Sequence, residues 1–143
     1  MSSTELENLV GIGKLKREAR SASELAGLLQ SGEARLRDAS NTALSIESRF
    51  DLAYNAAHAF SLAALRSRGY RSENRYIVFQ TLQLTLGIKN ATWRVLAKCH
   101  GIRNQSEYEG FIDLDETIVT DLIASAGEVR DAFRALDAEV ESG

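Results

Sequence analysis

The sequence contains no proline, and cysteine, methionine and tryptophan occur once each. Proline interrupts helices because it lacks a backbone N–H donor, so its absence removes a common cause of helix breaks. A single cysteine, Cys99, excludes an intramolecular disulfide and a cysteine-rich zinc site, which makes the reducing cytoplasm the expected location. The N-terminus lacks a basic segment followed by an apolar core, and no run approaches about 18 apolar residues, so neither secretion nor membrane insertion is expected.

Metal-binding and cofactor-binding patterns are also missing. No histidine and carboxylate have a metal-ligand spacing such as Glu-x-x-His, which argues against a di-iron bundle or a zinc hydrolase. Gly11-Ile12-Gly13 follows no predicted strand and therefore does not qualify as a phosphate-cradling loop. His58 lies among alanines, where a core histidine is the simpler interpretation. We expect neither a metal nor a cofactor.

The apolar residues recur at intervals of three and four, which predicts an all-α fold. The length of 143 residues fits one bundle domain over 22–143, preceded by a helical extension over 1–21. The third helix, rich in alanine, is expected to be central, and Gly32 to bend or break the second. The predicted helices cover residues 4–20, 23–42, 45–68, 72–86, 90–103 and 113–140, with Ser23, Ser72 or Asn74, Asn90 and Asp113 as caps.

The last predicted helix carries a heptad pattern. Its apolar residues alternate steps of three and four over about three heptads. That length is short for a free-standing coiled coil, so docking into the chain's own bundle is favoured over a seam between subunits. The residues of the pattern are Val119, Leu122, Ala126, Val129, Phe133, Leu136 and Val140.

Charge is divided sharply along the chain. Residues 59–106 hold eight Lys/Arg and one Asp/Glu, whereas residues 107–143 hold two and eleven, so the formal net charge of -3 conceals opposite blocks. The basic block predicts a phosphate-binding face. Two other interpretations remain open: the acidic last helix neutralises the basic block, or both are solvated faces. Trp93, Tyr70 and Tyr76 lie near arginines and have rings able to stack bases, although aromatic residues at helical spacing are more often core.

One stretch resembles a known family. Arg103-Asn104-Gln105-Ser106-Glu107-Tyr108 is similar to the Arg-Asn-x-x-x-His signature of HEPN proteins, with tyrosine in place of histidine. The segment from Phe50 to Phe60, with Ala53, Tyr54, Ala56 and Ala57, resembles the family's second core helix, and Gly69-Tyr70-Arg71 the glycine turn after it. The resemblance covers roughly residues 22–140.

The resemblance implies an up-and-down four-helix bundle with additional N-terminal helices. It also implies a homodimer that brings two signatures together in a cleft. Many HEPN proteins are metal-independent ribonucleases, often toxins paired with a nucleotidyltransferase antitoxin. The resemblance further implies that a helix ends at Arg103-Asn104, that a short loop carries Tyr108, and that Arg103 binds phosphate.

Tyr108 puts the proton-transfer role in question. Cleavage of RNA through its own 2′-hydroxyl needs a base with a pKa near neutrality, and tyrosine has a pKa of about 10. His100 lies one helical turn before Arg103 and is a candidate substitute, although a histidine near a helix end that contacts the last carbonyls is the simpler interpretation.

The sequence therefore predicts a nucleotide- or RNA-associated binding and partner module that lacks standard ribonuclease activity. One alternative is a metal-independent endoribonuclease of a toxin–antitoxin pair, with Arg103 and either His100 or Tyr108 as catalytic residues. Another is a structural helical adaptor. The predicted phosphate-binding residues are Arg103, Asn104, Lys98, Arg94, Arg71 and Arg75.

Overall fold

The computed structural model describes the backbone of residues 2–110 and 113–142, and the side chains of residues 4–110 and 113–136. The described part is almost entirely helical, which confirms the all-α prediction, but it also contains a short two-stranded antiparallel sheet. The elements are α1 (Ser2–Gly11), β1 (Lys16–Arg17), α2 (Ala22–Ala39), α3 (Ile46–Ser67), β2 (Tyr70–Arg71), α4 (Arg75–Gln80), α5 (Leu82–Thr85), α6 (Asn90–Glu109) and α7 (Glu116–Ser142).

The N-terminal segment is not one helix over residues 4–20. Helix α1 ends at Gly11, and Gly13 adopts a left-handed conformation with φ of +79°, after which β1 pairs with β2. The pairs are Lys16 with Arg71 and Arg17 with Tyr70. Leu6 and Leu15 are buried against α3, β2 and α4, so this segment is packed onto the body of the protein.

The fourth predicted helix is divided in two. Thr81 separates α4 from α5, and its hydroxyl donates to the Val78 carbonyl at 2.8 Å. A threonine that bonds locally to the backbone competes with the regular helical pattern. The chain then turns at Gly87, which has a φ of +64°.

The helix caps agree with the sequence only in part. Asn74 caps α4 as predicted, since its side chain accepts a hydrogen bond from the Ile77 N–H at 3.1 Å. The predicted caps Ser23, Asn90 and Asp113 were wrong. Ser21 accepts from the Glu24 N–H at 3.3 Å, Lys89 precedes α6 without a side-chain cap, and Asp115 accepts from the Ile118 N–H at 2.9 Å.

Helix α3 is central, as predicted, and packs against α2 and α7 along much of its length. Its small buried residues, among them Ala53, Ala57 and Ala64, permit this close approach. The heptad residues of α7 face the chain's own core, which confirms docking within the chain for Val119, Leu122, Ala126, Val129 and Phe133. The side chain of Val140 lies outside the described residues. No helix within the described residues is long and apolar enough to cross a membrane.

Gly32 does not bend or break α2, which runs through it without interruption. The missing side chain instead makes room for Phe60 of α3. A Cβ atom at position 32 would lie 2.6 Å from Phe60 Cε1, which is closer than real contacts allow. Gly32 therefore sets the distance between α2 and α3.

We predict that Gly32→Ala lowers the free energy of unfolding by about 1–3 kcal/mol, because the methyl group overpacks the contact with Phe60. Gly27 provides a matched control on the same helix, since a Cβ there meets nothing within 4 Å. Gly27→Ala is expected to raise the free energy of unfolding by about 0.5–1 kcal/mol through its higher helix propensity. Urea denaturation checks both values, and stabilisation by both substitutions would contradict the packing role of Gly32.

Candidate functional site

The candidate site is centred on Tyr54, a fully buried residue in the middle of α3. Two arginines contact its ring: the guanidinium carbon of Arg75 lies 5.5 Å from the ring centroid and that of Arg103 lies 4.9 Å from it. Arg75 is the first residue of α4 and Arg103 belongs to α6. Three helices therefore bring two cationic side chains to one aromatic ring.

Arg75 is positioned by its neighbours on both sides. The Asn74 cap starts α4 at this point, and one Arg75 nitrogen, Nη1, donates to Asn55 Oδ1 on α3 at 2.9 Å. Within the described residues, Arg75 forms no ion pair with a carboxylate. Its charge is therefore balanced less directly than that of Arg103, whose Nη2 lies 3.1 Å from Glu107 Oε1.

His100 joins the same cluster. Its Nδ1 lies 2.8 Å from the Tyr54 hydroxyl, and its Nε2 lies 3.1 Å from Asn104 Nδ2, one helical turn further along α6. With the Asn104 amide oriented in this way, Nε2 accepts and the Nδ1–H donates to Tyr54. Both ring nitrogens of His100 thus have partners within the chain.

His100 and the nearby His58 carry little charge at neutral pH. Burial lowers the pKa of His100, and the positive charges of Arg103 and Arg75 lower it further. Burial, again with Arg75 and Arg103, lowers the pKa of His58 to about 4, and burial raises the pKa of Tyr54. The two arginines are therefore the source of the positive charge at this site.

The structure brings together four of the residues that the sequence singled out: Arg103, His100, Asn104 and Arg75. The interpretation of His100 as a histidine at the helix end was wrong, because α6 continues for nine residues beyond it to Glu109. Tyr54 and Asn55 complete the cluster. The sequence placed Tyr54 on the core stripe of α3, and no local signal indicates that it meets a histidine 46 positions away.

Tyr108 does not join the cluster. The sequence predicted that a helix ends at Arg103-Asn104 and that Tyr108 lies in a loop, but α6 ends at Gly110, a glycine with a φ of +83°. Tyr108 therefore lies in the last turn of α6, where it is 95% exposed. Helix α6 is continuous from Arg103 to Tyr108, so the predicted loop between these two residues is absent.

The other predicted phosphate-binding residues lie elsewhere. Arg94 and Lys98 line a groove of about 170 Å³ between α6 and α7, together with Asp121. The Arg71 guanidinium is bound to Glu18 at 2.7 Å and to Glu24 at 2.5 Å. Arg71 is therefore paired with carboxylates that lie before and within α2.

As far as the side chains of α7 are described, which is up to Leu136, the acidic last helix neutralises little of the basic block. Within the described residues, one ion pair joins them, between Lys89 Nζ and Glu128 Oε1 at 3.8 Å. The buried Arg66 and the half-buried Arg71 both pair with Glu18 and Glu24, which lie before and within α2. The countercharge comes mainly from the N-terminal third of the chain.

Searches against protein-family models, curated proteins and solved structures found no match to this chain. Among the side chains that the structure describes, no group of three or more histidine, cysteine, aspartate and glutamate residues is arranged to hold a metal ion. The polar groups gathered at the site are the guanidiniums of Arg75 and Arg103, the Asn104 amide and the His100 imidazole.

The low pKa of His58 predicts a pH-dependent stability. Unfolded histidine has a pKa of about 6.5, so between pH 6.5 and 4 the unfolded chain binds more protons than the folded chain and stability falls as pH falls. Between pH 7 and pH 5 the loss attributable to His58 is about 1–2 kcal/mol. Urea denaturation at the two pH values measures it.

His58→Gln is the control, because it removes the titrating group while keeping a neutral polar side chain. The difference between pH 7 and pH 5 should shrink by about the stated amount in this variant. The Cε1 proton of His58 should also titrate with a midpoint near 4 in NMR spectra. A midpoint near 6.5 would show that the ring is not buried as described.

Proposed function

We propose that the chain binds phosphate groups of RNA or a nucleotide at the site formed by Arg75, Arg103, His100 and Asn104, and that it acts as a binding and partner module without standard ribonuclease activity. The observation that carries this proposal is the convergence of two guanidinium groups on the ring of Tyr54. Two cations from different helices contact one ring, and their combined positive charge attracts a phosphate to this place.

Guanidinium groups suit phosphate because their N–H donors form paired, charge-assisted hydrogen bonds to its oxygens. The pair between Arg103 and Glu107 does not block this role. The Glu107 side chain is 60% exposed, and exposed pairs four residues apart on a helix contribute only about 0.3–0.5 kcal/mol. A phosphate can therefore displace this carboxylate at low cost.

The proposal extends to the fold. Helices α2, α3, α6 and α7 form the four members of an up-and-down bundle of the HEPN type, and α1, α4 and α5 are additions to it. The contacts among these four helices and the position of Arg103-Asn104 on α6 support this assignment. A homodimer that brings two copies of α6 together, and a nucleotidyltransferase partner, follow from the resemblance.

Binding is favoured over catalysis by the state of the proton carriers. Tyr108 is 95% exposed at the end of α6, and the two ring nitrogens of His100 are both bonded within the chain. A general base must reach the proton that it removes. In this arrangement neither Tyr108 nor His100 is a free base that faces the two arginines.

One observation favours a metal-independent endoribonuclease as the second candidate. His100 is held by Tyr54 beside Arg103, and its lowered pKa keeps it neutral at pH 7. A ligand that attracts the Asn104 amide would release Nε2 to act as a base. Arg103 would then stabilise the charged phosphorane.

The binding proposal predicts that Arg103→Ala and Arg75→Ala each weaken binding of a short single-stranded RNA by at least about tenfold, through loss of charge-assisted hydrogen bonds. The slope of log K against log salt should fall in magnitude by about 0.7 for each lost phosphate contact. Fluorescence anisotropy at several salt concentrations measures both quantities.

Arg37→Ala is the matched control, because Arg37 is exposed on α2, away from the site, and its substitution removes the same charge. It should change affinity much less than Arg103→Ala. Glu107→Gln should act in the opposite direction and strengthen binding, because it removes the competing carboxylate. If RNA and nucleotide fail to bind at low salt, the proposal is wrong and the structural adaptor is favoured.

The endoribonuclease candidate predicts RNA cleavage in the presence of a metal chelator. Cleavage should disappear in both Arg103→Ala and His100→Ala and persist in Tyr108→Phe, because Tyr108 lies apart from the cluster. Gel analysis of a labelled RNA checks this. Absence of cleavage by the wild-type protein, with binding retained, supports the binding module.

A further inference from the structure

We propose that the ligand is a single-stranded RNA segment, with one base stacked on Trp93 in a cavity beside α4 and α5 while a phosphate of the same strand lies at Arg75 and Arg103. This inference rests on the proposed function. It adds a second subsite, for a base, to the proposed phosphate site.

A row of aromatic rings connects the proposed base subsite at Trp93 with His100 of the proposed phosphate site. Trp93 lies seven residues before His100, so both occupy one face of α6. The ring of Tyr76 lies between them, with its centroid 6.0 Å from that of Trp93 and 5.5 Å from that of His100. Trp93 and Tyr76 are each only partly buried, so this row of rings reaches the surface.

Trp93 also borders a cavity of about 310 Å³. Apolar side chains of Leu9 and Leu84 line it, and the exposed amides of Gln80 and Gln83 add polar groups. Gln83 uses its Nε2 to bond Asn90 Oδ1 at 3.0 Å, which leaves its carbonyl oxygen available. A flat ring bordered by apolar groups and amides is the setting in which a nucleobase stacks and forms hydrogen bonds.

The two proposed subsites lie apart along α6. Ten residues of α6 separate Trp93 from Arg103, which is a rise of about 15 Å along the helix. A stacked strand advances about 3.4 Å per nucleotide, so this distance corresponds to roughly four nucleotides. A short strand can therefore place a base at Trp93 and a phosphate at Arg103.

The experiment uses the full chain, whose only tryptophan is Trp93, so that intrinsic fluorescence reports directly on the proposed base subsite. The probes are a tetra-adenylate RNA and an abasic tetrahydrofuran phosphodiester tetramer with the same number of phosphates. We expect the RNA to quench Trp93 fluorescence and to bind at least about fivefold more tightly than the abasic strand, as one stacked base implies. The abasic strand should bind without quenching.

Trp93→Leu should reduce RNA affinity to that of the abasic strand and leave abasic binding unchanged, as measured by anisotropy of end-labelled strands. The wild-type quenching measurement stands independently if this variant fails to fold. Equal affinity of the two strands without quenching would overturn the base subsite, while a loss of both in Arg103→Ala would still support the phosphate site. Binding of neither strand would overturn the proposed function as well.

Discussion

The buried guanidinium of Arg66 is the interaction on which the arrangement of the N-terminal half depends. It lies at the end of α3 and is 1% exposed, yet its nitrogens reach the carbonyls of Glu18 at 2.8 Å and Ala19 at 2.6 Å and the carboxylate of Glu24. A buried cation is tolerated only when its donors are satisfied, so the segment between β1 and α2 must fold back onto α3. The folding of this segment onto α3 fixes the position of β2 and of the start of α4, and therefore the position of Arg75.

The sequence predicts the fold well where the determinants are local. The periodic apolar residues of α3 and α7 are enough to define a central helix and a docked last helix, because burial of one face is a property of the helix itself. Pairing of β1 with β2 depends on contacts between residues more than 50 positions apart, for example Lys16 with Arg71. Arg66 lies within the basic block of the sequence, and its neighbourhood in the chain does not reveal its buried carbonyl partners.

The candidate site shows the same division. The helical spacing of His100, Arg103 and Asn104 indicates that they share one face of α6, and the charge pattern indicates Arg75. The sequence indicates only a core position for Tyr54, because the contact between its hydroxyl and α6 arises from tertiary packing. The prediction of a loop at Tyr108 was wrong. Helix α6 continues through Gln105 and Ser106 and is terminated by Gly110, which has a left-handed conformation.

The pair between Arg103 and Glu107 has a consequence for any anion that binds at the proposed site. Because both residues belong to one continuous helix, the effective concentration of the carboxylate at the guanidinium does not change when the protein is diluted. Every ligand faces this tethered competitor, which reduces the apparent affinity by a constant factor. A strand that carries several phosphates offsets that factor through its additional contacts, whereas a lone inorganic anion has no further contact to offset it.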